Sequence, residues 1–307
     1  MRVFVIVNFG DRPHCSHSTI KRIEQVFKQR HLDYSIELST SIDHSRRLVA
    51  RAEAEGFDTL LFGGGDGTIN SLLNLVVGKP FTIGIVPLGT VNTLARTVGI
   101  PLDPVKACEF AVLNNARPVD IGKVNDRAFI CFSSIGFDAS VVHKVPEQVK
   151  VSLGVLAFFL YAIRQLGDLH NLPQFAVTLL PSGETHEGYS LILSNLRCYA
   201  GFNVFSLCVD SGDMELYIFK RNTIPDYLRY AHGLFFLKQN LSKIYEDVTH
   251  ALVKSFKVTC EKPMFLQVDG EAASSGDNCQ YTFEIIPHGI NLIIPEPKAQ
   301  SVPMASS

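Results

Sequence analysis

The first 120 residues alternate between short apolar runs and segments whose apolar side chains recur every three or four positions. "RVFVIV" reads as a buried strand, and Ile20, Ile23 and Phe27 follow it at helical spacing. "YSIEL" places Tyr34, Ile36 and Leu38 on one face of a second strand. "DHSRRLVARAEAEG" then predicts a helix with Leu48, Val49 and Ala52 inward and Gly56 at its C-terminal end. "FDTLLF" and "FTIGIVP" predict two further buried strands, each running into a glycine turn and a helix. Such alternation implies a parallel sheet with helices on both faces, a three-layer α/β unit.

Beyond Asp120 the pattern shortens. "RAFICFSSIGF", "FAVTLL", "YSLILSN", "FNVFSLCV", "MELYIF", "SFKVTCE", "MFLQV" and "YTFEII" are β-rich runs separated by turn residues, the pattern of a sandwich or barrel. Two helical patterns interrupt them, one near residues 150–168 and one from Thr223 to about Glu246, with Pro225 in its first turn and Leu234, Leu237, Leu241 and Ile244 as its face. The reading is an α/β nucleotide-binding domain over residues 1–120, with residues 288–298 returning to it. A β-rich substrate domain, sandwich-like, covers residues 121–287, and a disordered tail covers residues 299–307.

Composition narrows the class. Of 307 residues, 46% are apolar and 19% charged, which excludes a disordered or fibrous chain. Against 30 acidic residues stand 28 basic ones, so no basic surplus attracts nucleic acid. The seven cysteines are scattered and never form a CxxC pair, which argues against a disulfide framework or a zinc site and for a reducing cytoplasm. The apolar run after Met1 is too short for a signal peptide core. "VSLGVLAFFLYAI" is also short of the roughly 18 residues that cross a bilayer, and reads as a buried helix, with an interfacial helix resting on lipid as the alternative.

"LLFGGGDGTINSLL" carries the chemistry. An apolar strand ends in Gly63, Gly64 and Gly65, and after Asp66 and Gly67 a helix starts near Thr68 or Ile69. Amides without side chains over them, at a helix N-terminus, close on a phosphate. There is no GxxxxGK[ST] and no GxGxxG spacing, so Walker and dinucleotide loops are set aside. A bare turn needs one or two glycines and no central carboxylate. An aspartate beside phosphates implies either a Mg²⁺ bridging Asp66 to phosphate oxygens, or a proton acceptor facing an attacking hydroxyl; both point to phosphoryl transfer.

"GGGDGTIN", "VPLGTVNTLAR", "SSIGFDASVV" and "VDGE", in this order, resemble the diacylglycerol kinase catalytic family, specifically the compact bacterial lipid kinases related to diacylglycerol and sphingosine kinases. The likeness runs from about Val3 to Pro295, and "GGDGT" alone is shared with NAD kinases and phosphofructokinases. The resemblance implies that Gly63, Gly64, Gly65, Asp66, Gly67 and Thr68 form the nucleotide loop and that Gly89, Thr90 and Asn92 line the same cleft. Asn8 and Thr40 match further polar positions at this sheet edge, and Glu271 matches the glutamate proposed in the family as general base for the lipid hydroxyl. The base role is also assigned to the loop aspartate in the wider superfamily, so Asp66 and Glu271 both stand as catalytic candidates.

Where the family often has acids after the two loop asparagines, this chain has Ser71 and Thr93. The Asp-Gly pair tied in relatives to a structural metal becomes "CVDSGDMELYIF", leaving Asp210 and Asp213 as the metal candidates. The resemblance implies an ATP- and Mg²⁺-dependent lipid kinase that meets its substrate by transient contact with the membrane from the cytoplasm. Phe158, Phe159, Phe235 and Phe236 are candidate contacts, and His143, Lys144, Lys150 and Arg164 could meet anionic headgroups. Residues 121–307 hold 15 basic and 18 acidic side chains, so no general electrostatic pull assists. The alternatives are a non-catalytic nucleotide- or lipid-binding regulator and an NAD kinase-like enzyme. The chain carries no signal of oligomeric state.

Overall fold

The computed structural model describes residues 1–8, 17–196, 198–199, 202–203, 210–234, 241–273 and 279–296. Phe235, Phe236 and the tail from residue 299 lie outside the described residues.

The first half runs β1 (Arg2–Val7), α1 (His17–Gln29), β2 (Asp33–Leu38), α2 (Ile42–Ala54), β3 (Thr59–Gly64), α3 (Asp66–Leu73), β4 (Thr82–Pro87), α4 (Thr93–Val98), α5 (Pro104–Leu113) and β5 (Ala116–Val124). Strands β2, β1, β3 and β4 pair in parallel in that order. Alternation along β1 sends Val3, Val5 and Val7 to one face with Ile23 and Phe27 of α1 and Val105 and Cys108 of α5. Phe4 and Ile6 go to the other face, with Leu48 and Val49 of α2 and Ile69 and Leu72 of α3. Burying each such side chain stabilises the fold by roughly 1.5–3 kcal/mol. Local signals fix the ends: the Ser41 hydroxyl accepts from His44 N at the start of α2, Gly56 takes φ +74° after it, and Pro104 follows the Asp103 cap of α5.

The second half is mostly β. It runs β6 (Arg127–Phe129), β7 (Phe132–Ile135), α6 (Phe137–Lys144), α7 (Glu147–Leu153), α8 (Val155–Gln165), β8 (Phe175–Leu180), β9 (Thr185–Gly188), β10 (Ser190–Ser194), β11 (Cys198–Tyr199) and β12 (Phe202–Asn203). It continues with β13 (Met214–Phe219), α9 (Ile224–His232), β14 (Val248–Val253), β15 (Ser255–Cys260), β16 (Leu266–Val268), β17 (Glu271–Ala273) and β18 (Gln280–Ile293). Six strands form one sheet in the order β14-β13-β10-β7-β16-β17. The long β18 serves both halves. Its first part pairs with β15, a register shift separates Ile286 from Ile290, and Asn291 and Leu292 lie parallel to Thr82 and Ile83 of β4. Leu191, Leu193, Leu216 and Ile218 of one sheet pack on Phe256, Val258 and Phe283 of the other, with the Phe256 and Phe283 rings stacked at 4.6 Å.

Two predicted helices differ from the structure. The pattern over 150–168 is two helices broken at Gly154, which takes φ +56°, with a 3₁₀ turn over Leu166–Asn171. The pattern from Thr223 ends at His232 rather than near Glu246. Gly233 and Leu234 follow it as a π turn, residues 235–240 lie outside the described residues, and a Cβ on Gly233 would strike Leu241 and Tyr245. Leu241–Lys243 forms a 3₁₀ turn, and β14 follows.

Candidate active site

Two glycine turns meet at the carboxyl edge of the parallel sheet. The first joins β3 to α3 through Gly65, an N-cap without a side chain, so no capping group covers the amides of Asp66, Gly67 and Thr68. The second follows β4, where Asn92 takes the left-handed conformation (φ +51°) and closes the turn on itself. Its Nδ2 donates to the Gly89 carbonyl (2.9 Å) and its Oδ1 accepts from Gly89 N (2.8 Å). A Cβ on Gly89 would lie 2.7 Å from the Gly65 Cα, so the two backbones approach as closely as glycine allows.

Asp66 ties the turns together. Its carboxylate faces the amides of Asn92, Thr93 and Leu94 at the start of α4, and accepts from the Thr93 hydroxyl at 3.4 Å. Burial pushes its pKa above the ordinary carboxylate value, against the pull of those donors. Thr93, where the family often has an acid, turns its hydroxyl to Asp66.

The "VDGE" segment forms the β16–β17 hairpin. Val268 pairs with Glu271 across a two-residue turn in which Asp269 (φ +50°) and Gly270 (φ +81°) both have positive φ. Asp269 is half-buried and accepts from the amides of Ile130, Cys131 and Phe132 (2.8–2.9 Å) and from Asn70 Nδ2 (2.5 Å). Burial raises its pKa while all four donors favour the ionised form. The Asn70 bond joins α3 to the hairpin and sets Glu271 over the first turn: a Cβ on Gly67 would lie 2.9 Å from Glu271 Oε1. Glu271 Oε2 pairs with Lys150 Nζ of α7 at 3.7 Å.

The two turns, the hairpin and the helices α6, α8 and α9 enclose one cavity of about 740 Å³. Asn8, Gly65 to Thr68, Gly89 and Thr90 line one end. Phe132, Phe137, Val142, Ile192, Phe219 and Tyr227 are among the side chains of the other, and Glu271 and Lys150 line the same cavity. Few polar groups interrupt the apolar end: the Ser134 hydroxyl donates to Asp138, and Ser190 Oγ and Tyr227 Oη share a hydrogen bond at 2.5 Å.

Not every predicted position reaches this cavity. Gly63 and Gly64 lie behind it in β3, where Gly64 makes room for Thr68; Asn92 is buried in its turn; Thr40 is exposed at the end of β2 and does not line the cavity. Phe158 and Phe159 line it, but His143 and Lys144 hold the protein's own groups, the Leu266 carbonyl (2.8 Å) and Asp168 (3.1 Å). Among the described residues, Asp210 and Asp213 are not joined by further metal ligands. Asp210 pairs with Arg117 (2.9 Å), the Asp213 carbonyl accepts from Ser211, and the loop is held by Asp120, which accepts from Gly212 N and His288 N. Among the described residues no group of three or more His, Cys, Asp or Glu side chains is placed to hold a metal ion. Sequence reasoning missed Asp269, Asn70 and the Lys150–Glu271 pair; the "DG" after a strand and the asparagine closing "GGGDGTIN" were the available signals.

Residues 2–124 match the diacylglycerol kinase catalytic domain. The diacylglycerol kinase of Bacillus subtilis is 26% identical over 291 residues, covering 92% of this chain and 93% of the relative. A Pseudomonas aeruginosa protein named "Probable lipid kinase YegS-like" is 40% identical over 129 residues, 41% of this chain and 42% of its own. A solved structure from Bacillus anthracis aligns with a TM-score of 0.78 at 22% identity, over 96% of this chain and 97% of that one. Another from the same organism, named as a diacylglycerol kinase, gives 0.73 at 18% with the same coverage. At these identities the structural likeness speaks for the fold. The sequence matches show that residues 2–124 are similar to the diacylglycerol kinase catalytic domain family.

Proposed function

We propose that this chain is an ATP-dependent lipid kinase that transfers the γ-phosphate of MgATP to a hydroxyl of a membrane lipid of the diacylglycerol type. The family makes it a kinase with an alcohol acceptor. The observation that carries the finer reading is that the glycine-lined end and the apolar end are one cavity, with Glu271 among its lining residues and set over the first turn.

The uncovered amides of Asp66, Gly67 and Thr68, at the positive end of α3, bind phosphate oxygens. Gly89 lets the second turn close on the first, since a Cβ there would strike the Gly65 Cα. Mg²⁺, carried in with the nucleotide, neutralises phosphate charge. Asp66 fixes the relation between the two turns, and Glu271 takes the proton of the attacking hydroxyl. The apolar end receives acyl chains and excludes water, so most of the catalysis is positioning and charge placement.

Phe159, Ile163 and Leu228 line the cavity and are also exposed, and Leu156 and Leu160 extend the apolar surface along α8. This rim is the proposed route by which lipid enters from a bilayer touched at its surface. No helix among the described residues is long and apolar enough to cross a membrane.

The test is transfer of label from radioactive MgATP to diacylglycerol, monoacylglycerol, ceramide or sphingosine in mixed micelles, with NAD alongside. Label in a lipid is expected; label in NAD alone would overturn the reading.

A further inference from the structure

We propose that Lys150 is the cation of the phosphoryl-transfer step, an inference that rests on the kinase reading above. In the structure its ammonium pairs with Glu271. During transfer it bonds the equatorial oxygens of the moving phosphoryl group and leaves the Glu271 carboxylate to the acceptor.

The charge distribution of the cavity calls for such a group. Asp66, Asp138, Asp269 and Glu271 all line it, and Lys150 is the one lysine or arginine among the described lining residues. A triphosphate adds further negative charge, and the glycine turns answer it with amides alone. Lys144 is held by Gln165 and Asp168, and Arg164 does not line the cavity.

Position agrees with charge. Glu271 lies against Gly67, so an ammonium 3.7 Å from its Oε2 stands beside the first turn of α3. The Lys150 side chain is only 14% exposed and its Nζ lies 5.9 Å from the Phe158 ring centroid, so its charge acts in a partly dehydrated setting. The backbone holds it from the other side. Gly154 N donates to the Lys150 carbonyl (2.9 Å), and a Cβ on Gly154 would meet Val91 and Thr90 of the second turn at 3.8 and 3.9 Å. The break between α7 and α8 therefore seats Lys150 against both phosphate turns.

In the step itself the acceptor oxygen forms a bond to Pγ as the bond from Pγ to the β-phosphate bridging oxygen breaks, and ADP leaves with that electron pair. The hydroxyl proton passes to Glu271 and from there to solvent. Lys150 keeps its proton throughout and neutralises charge on the moving group.

The experiment compares Lys150→Met and Lys150→Arg with wild type in steady-state kinetics, in the pH profile of kcat/KM, and in calorimetric binding of MgATP and MgADP. Lys144→Met serves as the control. We expect Lys150→Met to lower kcat by about 10²–10³-fold, the loss typical of one donor to a developing charge. It should bind MgADP within about twofold of wild type while its preference for MgATP over MgADP falls roughly tenfold, with the charge-retaining Lys150→Arg recovering most of both. Loss of the neighbouring positive charge should also move the acid limb, set by Glu271, to higher pH. Unchanged kcat and nucleotide preference in Lys150→Met would overturn the proposal, as would a folded Lys150→Arg as impaired as Lys150→Met. If wild type phosphorylates no lipid, the kinase reading fails while the MgATP-to-MgADP ratio still reports on Lys150.

Discussion

At its glycine end the cavity is made of backbone: Gly65 and Gly89 come within a methyl group of each other, and Asp66 clasps the start of α4 to the start of α3. At its apolar end it is made of side chains from β7, α6, α8, α9, β10 and β13, six elements spread over about a hundred residues. The first end is specified by a few adjacent letters and tolerates almost no change in them. The second is specified by volume and polarity, which many side chains satisfy. Asp269 stands between the two, because the same carboxylate holds the backbone of residues 130–132 and, through Asn70, the helix of the first turn.

That division sets the order of the expected effects. Asp269→Asn strands two of the four donors that converge on this carboxylate and should cost about 3 kcal/mol by denaturant unfolding, since buried donors without acceptors are expensive. A cost below about 1 kcal/mol would mean that the two ends are not joined there. Gly89→Ala should lose roughly 1–3 kcal/mol of stability to overpacking, and nucleotide binding with it. Gly65→Ala is the matched control: its Cβ would meet the Gly89 Cα at 3.5 Å, an ordinary contact at φ −83°, so the fold should keep its Tm. At the other end Ala162→Phe, which fills part of the apolar wall, should raise the lipid KM about tenfold and leave MgATP binding unchanged. A shift in MgATP affinity instead would show that the ends do not separate. The smallest effect belongs to Asp210→Ala, which removes a part-exposed pair with Arg117 and should change stability by at most about 1 kcal/mol. Chelation with EDTA should likewise leave the Tm of the nucleotide-free protein in place; a large drop would restore the structural metal.

The same contrast explains what the sequence disclosed. The strand–turn–helix order, the glycine turns and the Asp-Gly hairpin are local, and each is written in consecutive residues, so they were legible before any coordinates. Asn92 was legible as a conspicuous residue but not in its role, because an asparagine that closes its own turn and one that grips a ligand look alike in a string. Thr93 looked like a loss until its hydroxyl was seen to face Asp66. Of the apolar end only Phe158 and Phe159 were singled out in advance. Phe137, Phe158 and Tyr227 have the spacing of ordinary core residues, and only the packing of α6, α8 and α9 leaves space between them. The helix expected to reach Glu246 is replaced at its far end by the 3₁₀ turn of Leu241–Lys243, although the apolar periodicity continues through it.

The central claim is that nucleotide and lipid share one cavity in which Glu271 takes the acceptor's proton. The most direct test is Glu271→Gln, assayed with radiolabelled MgATP and diacylglycerol micelles alongside calorimetric binding of each ligand. The account predicts that both ligands bind with near wild-type affinity while transfer falls by about 10²–10⁴-fold, the range for loss of a general base. Transfer within a fewfold of wild type would contradict it.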